Sequence, residues 1–593
     1  MSDNQVSYDL AIRGGTIVDG LGGEPFVGDV AVSDGRIVAV GAAPGNAQEE
    51  IDAAGLLVTP GFVDIHTHFD AQAIWESRMS PSSEHGVTTV VMGNCGVGFA
   101  PCRPADQGAL IELMEGVEDI PGVVMADGLS WEWQSYPEYL DAVAARPHDI
   151  NLASYLPHAP LRLFVMGERA SSGAPATAED RARMAQLAGE AMAAGALGFA
   201  TSRSLFHKSA SGQPICTLDA EEAELVDIAQ AVGESGNGII QVAVDFGGAR
   251  SVEEEFATLE SVARTSQRPM SLPIAEMHSK PDLWRDIMAQ IGRANSNGAT
   301  MGAQALPRGI GVMFGLELST HPFMLKLSYQ EVADLPLPER LAALRDADRR
   351  ARILAETSVH SPMPVAQTLD KYEGMYEAGN PLNYEPAPES SIAARARALG
   401  IAPAALAYDI LLAHEGGPAL YMPFANYAGG NLDTALEMFR HPDIVLGLGD
   451  GGAHYAVICD ASYPTFLLSY WTRDRMRGER LAVPEVIRAL SHDTARTVGL
   501  DDRGVLAPGY VADINVIDYD NLRLSAPRVT FDLPKQGRRL KQPAEGYVAT
   551  IVNGSVTYRN GAATGALPGT LVRGRQSAPS ETMQHAREAI YVI

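Results

Sequence analysis

Two histidines spaced by one residue, His66 and His68, close the run GFVDIHTHFD, with Asp64 before them and Asp70 after. If that run is a strand continuing through them, alternate side chains share a face, so both imidazoles can grip one cation while Thr67 points away. Taken alone, the pair reads equally well as two partly exposed histidines in a loop. Far downstream, Asp450 follows a second apolar run, Ile444 to Gly449, where a carboxylate can face the same centre or cap the next helix. Cys95 closes a third run, VTTVVMGNCG; a buried free cysteine is ordinarily a small hydrophobe.

The elements that must position these groups follow from patterning. From Gly61 to about residue 500, apolar β-rich runs alternate with helical stretches, the signature of parallel βαβ units. Candidate strands are Gly61 to His66, Val87 to Gly93, Ile150 to Leu156, Ala196 to Thr201, Gly238 to Val244, Ser271 to Ala275, Thr300 to Leu306, Ala419 to Phe424 and Ile444 to Gly449. The closed form of this alternation is an eight-stranded (β/α) barrel with its chemistry at the C-terminal strand ends, so one candidate, Ala419 to Phe424, is expected to lie outside it. Between Thr177 and Gly195, an Ala-rich stretch predicts a helix ended by a glycine cap. At either end of the chain, alternating runs turn at Asp-Gly and Asn-Gly pairs, which is hairpin chemistry. Neither end is large enough alone, so one small β domain built from both is expected.

The expected division is residues 1 to 58 and 501 to 570 in the β domain and 59 to 500 in the barrel, with a lid-like insertion at about 323 to 417. A tail over 571 to 593 is expected to dock on another surface or subunit, and the assembly to be a homo-oligomer.

Composition narrows the partners. The 593 residues carry a net charge of -28, which disfavours nucleic acid, since phosphate binding is driven by Lys and Arg. No window approaches the ~18 to 20 apolar residues of a membrane span. Four cysteines, none in a CxxC pair, point to a reducing compartment. A small-molecule substrate and a cytoplasmic setting are therefore expected.

The motifs GGTIVDG, LLVTPGFVDIHTHFD, SPSSEHGVTTVVMGNCGVGFAP, HPDIVLGLGDGGAH and LAPGYVADINVID span nearly the whole chain. Together they resemble the amidohydrolase superfamily, metal-dependent hydrolases on a distorted (β/α)8 barrel with a small β-sandwich from both termini. Asn94-Cys95-Gly96 and Gly449-Asp450-Gly451 look most like its N-acyl-D-amino-acid deacylase branch. The resemblance implies that His66, His68, Cys95 and Asp450 hold one or two divalent ions, zinc above all, that Asp450 is general base and acid, and that the substrate is an N-acyl-D-amino acid.

The chain departs from that branch where two further histidines are expected, near Ala243 and Ile274, which cannot coordinate a metal. Either one ion suffices, or Glu276 and His278 substitute. The fourth strand lacks the modified lysine of hydantoinase-like relatives, Lys208 lying beyond it. Arg203 and Lys280 follow strands and could pair with a substrate carboxylate; either could equally be a structural charge. His158 and His207 receive no role, and Cys102, Cys216 and Cys459 are read as structural. Two alternatives stay open: the same machinery acting on another amide, a carbamate or an ester, or a non-catalytic scaffold.

Overall fold

The computed structural model describes residues 7 to 246, 250 to 361 and 364 to 580. It is α/β. Parallel strands pair in chain order: Phe62–Asp64, Val87–Met92, Asn151–Ser154 with its continuation Leu156–Pro157, Gly198–Arg203, Ile239–Val244, Met270–Pro273, Met301–Ala305 and Ile444–Leu446. Beyond the ends of the first and last, Thr67 bridges Gly451 in parallel, and Asp450 N donates to the His66 carbonyl at 3.0 Å. The series thus returns on itself. These strands are buried on both faces, as their continuous apolar runs require.

Ala419 to Phe424 lies outside this series, as expected. As Leu420–Ala425 it runs antiparallel to Ile310–Phe314, and both join Tyr376–Glu377 in a three-stranded sheet. That sheet belongs to a separate apolar core including Phe314, Phe323, Leu344, Tyr408 and Met422, so the inserted unit begins earlier and ends later than residues 323 to 417.

Both chain ends meet in one nine-stranded sheet. Ile514–Ile517 pairs with Leu57–Pro60, which lies beside Ser7–Ile17. Its hairpins turn at Asp34-Gly35 and Asn553-Gly554, where all four residues have positive φ, as the tight turn that matches strand twist demands. The helix Ala178–Ala194 forms as read, with a capping box from Thr177 and Asp180 and Gly195 left-handed at its end. The described start of the tail lies against its own chain: Val572 N donates to Leu152 O at 2.7 Å and Gln576 N to Gly499 O at 2.9 Å. Residues 581 to 593 lie outside the described residues. Among the described residues, no single helix is long and apolar enough to cross a membrane.

Candidate metal centre

The first strand ends at Asp64, two residues before the first histidine, so the expected strand does not run through the pair. The backbone nevertheless stays in register, because Thr67 donates through N and Oγ1 to Val91 O and bridges Gly451. His66 and His68 are each 1% exposed, with ring centroids 5.6 Å apart. Asp450 reaches both: its Oδ1 is 3.6 Å from His66 Nε2 and 3.7 Å from His68 Nε2. Cys95 Sγ is 3.4 Å from His66 Nε2. One ligand atom each from His66, His68 and Cys95 lies within 4.8 Å of the others.

Local structure explains the convergence. Cys95 sits at φ 56, a left-handed turn directly after the second strand, and its N donates to Gln241 Oε1 on the fifth. At Gly449, a Cβ would stand 2.3 Å from Asp64 Oδ2, so only glycine lets the last strand approach close enough for Asp450 to enter. Gln304, on the seventh strand, holds His66 Nδ1 at 2.7 Å, leaving Nε2 for the centre.

The electrostatics share one sign. Burial pushes the Asp64 carboxyl up to about 8, that of Asp70 to about 7 and that of Asp450 to about 6, where Asp460 adds to the rise and His454 opposes it. Glu118 is raised well above its ordinary range by burial and by Asp450 and Asp70. The Cys95 thiol is raised by burial and by Glu118, Asp450 and Asp70. Burial lowers His66 to about 4 and His68 well below its usual value. Among the described residues, no lysine or arginine relieves any of these four acids. Neutral imidazoles beside buried carboxyls that lack a cation form a donor set suited to a divalent metal.

The amidohydrolase family's sequence pattern matches residues 49–558. The chain belongs to that family. Among its relatives, the D-aminoacylase of Alcaligenes xylosoxydans xylosoxydans is 33% identical over 280 residues, 47% of this chain and 52% of the relative. The chain therefore spans about half of that protein's length. The N-acyl-D-glutamate deacylase of the same organism is 27% identical over 563 residues, 93% of this chain and 94% of the relative. A solved N-acyl-D-glutamate deacylase from Bordetella bronchiseptica, complexed with zinc and a phosphonate mimic of the tetrahedral intermediate, shares the fold. It covers 96% of this chain and 100% of its own at TM-score 0.62 and 24% identity.

Other expected site residues of this amidohydrolase fall elsewhere. Arg203 is buried, and its guanidinium is committed to the Glu255 carboxylate and the Ala220 carbonyl, in keeping with the alternative of a structural charge. Glu276 is no substitute ligand. Its carboxylate accepts from Ala428 N and Thr434 Oγ1, both at 2.9 Å, tying the return of the inserted unit to the sixth strand. His278 is exposed and stands outside the ligand group. Lys280 is exposed just beyond the sixth strand. Ala243 and Ile274 are buried apolar residues, as the departure from the branch pattern implied. His158 is structural, bonded to Thr201 and Glu224.

Three groups near the centre escaped sequence reasoning. His454 ends the GDGGAH motif four residues after Asp450, a signal present but unused. His207 is held by Ser202 at 2.7 Å and is felt electrostatically by His68. Glu118, on a helix after the second strand, carries no motif at all.

Proposed function

We propose that this chain is a metal-dependent hydrolase that deacylates an N-acyl-D-amino acid, using one zinc-type divalent ion. The observation that carries this reading is the convergence of His66, His68 and Cys95 ligand atoms within 4.8 Å, with the Asp450 carboxylate 3.6 and 3.7 Å from the two imidazoles. Its deacylase relatives favour a linear amide over a ring.

His66 and His68, neutral in their buried setting, and Cys95 would hold the ion, with Asp450 beside them. When bound, the ion supplies a Lewis acid for the amide carbonyl and a water acidic near neutral pH. Asp450 takes the proton of the attacking water and delivers it to the leaving nitrogen, since one of its oxygens faces both imidazoles and a fifth of its side chain stays reachable. Lys280, exposed past the sixth strand, is the proposed partner of the substrate carboxylate. One ion is the reading favoured here, because the positions that would complete a second site are Ala243 and Ile274.

For the scaffold we propose a distorted (β/α)8 barrel over residues 59 to 500 and a β-sandwich from 1 to 58 and 501 to 570. The supporting observations are the parallel series that returns on itself and the shared terminal sheet. A cytoplasmic setting is proposed on the four free cysteines.

The test pairs elemental analysis with a screen of N-acyl-D- and N-acyl-L-amino acids. The purified chain should hold stoichiometric metal and release free D-amino acid. Asp450→Asn should fold normally and lose about 10²- to 10⁴-fold in kcat, the span of general acid–base catalysis. Full turnover in that variant would remove Asp450 from the mechanism.

A further inference from the structure

Glu118 ends the helix Gln107–Glu118, and Asp119 then turns left-handed at φ 50. A glutamate at this position is doubly unfavourable. The helix C-terminus is the negative end of the macrodipole, and this side chain is only 2% exposed with no lysine or arginine of the described residues among the charges acting on it. The other buried residues of the helix are the apolar Leu110, Met114 and Val117 that packing alone would select.

What faces the carboxylate gives it a use. Glu118 Oε1 is 3.4 Å from His68 Nδ1, and Oε2 is 3.5 Å from His454 Nε2. His68 Nδ1 is buried and has no hydrogen-bond partner among the described residues, so the Glu118 carboxylate at 3.4 Å is the acceptor within reach. His454 N donates to the Glu118 backbone carbonyl as well. One residue therefore touches the first-strand loop through His68 and the last-strand loop through His454. The second loop needs a tether: Leu448 at φ 63, Asp450 at φ 48 and His454 at φ 49 occupy backbone that side-chain-bearing residues adopt at a cost.

We propose that Glu118 is a positioning residue of the metal centre, accepting from His68 Nδ1 and His454 Nε2 at once. In doing so it turns His68 Nε2 inward, in the manner of a carboxylate that orients a ligating histidine, and holds the loop that carries Asp450. This rests on the metal-centre reading above.

The experiment measures zinc affinity of the full chain by chelator competition, with kcat and KM at saturating zinc, for Glu118→Ala, the isosteric Glu118→Gln and, as comparator, His66→Ala. Glu118→Ala should weaken zinc about 10- to 100-fold, the usual cost of losing a partner behind a metal ligand. Glu118→Gln, which can accept from only one imidazole, should lose less. Both should show a lower kcat at nearly unchanged KM, and added zinc should partly restore Glu118→Gln. If Glu118→Ala fails to fold, Glu118→Gln decides by the same readings. Wild-type zinc affinity and kcat in the Glu118 variants, with zinc lost in His66→Ala, would overturn this inference alone. Zinc retained in His66→Ala would overturn the metal-centre reading and this inference with it.

Discussion

Two buried polar clusters in this protein look alike by composition and behave oppositely. In one, Glu224 accepts from His158 Nε2 at 2.9 Å and Arg162 Nε at 2.8 Å. Burial pushes its carboxyl up, but His158 and Arg162 outweigh that and leave it below the usual range. In the other, Asp64, Asp70, Glu118 and Asp450 surround His66 and His68, and all four carboxyls are raised. The difference is a pair of partners within hydrogen-bond reach, the His158 imidazole and the Arg162 guanidinium. A buried carboxylate whose counter-charge belongs to the chain is structure, whereas the acids around His66 and His68 stand where the proposed metal would bind.

The contrast breaks most visibly on its closed side. Glu224→Ala leaves Arg162, 2% exposed, without its carboxylate partner, and the loss should approach the ~3 to 5 kcal/mol seen when half of a buried pair is removed. Urea unfolding should report it while metal content stays unchanged. A loss under about 1 kcal/mol would erase the distinction.

On the open side, chelation should destabilise the protein by about 3 kcal/mol relative to zinc at a hundredfold excess over its Kd. Thermal melts with and without zinc would read it, and coincident melts would mean the acids await no cation. The smallest expected effect concerns the two basic residues. Lys280→Ala should raise KM about fivefold with kcat unchanged, since an exposed ion pair is worth at most about 1 kcal/mol, whereas Arg203→Ala should lower stability without a selective change in KM. The reverse assignment would return Arg203 to the substrate.

Much of the architecture was legible because it is written locally. Asp34-Gly35 and Asn553-Gly554 sit at hairpins since few other pairs tolerate two positive φ angles. The β-rich runs became the parallel series because strands buried on both faces must be apolar throughout. That His66, His68 and Asp450 meet could be expected in advance, as each lies at or just past the end of such a run.

Contacts across the chain were not written locally. Nothing near residue 118 announces that its carboxylate meets His68 and His454, and nothing near Arg203 announces Glu255. Strand type, turns and the candidate ligands were thus legible from residue chemistry within a few positions. Which charges are paired, which are left open and which carboxylate stands behind which imidazole were decided only by the folded chain, because a buried group's character depends on neighbours drawn from distant sequence.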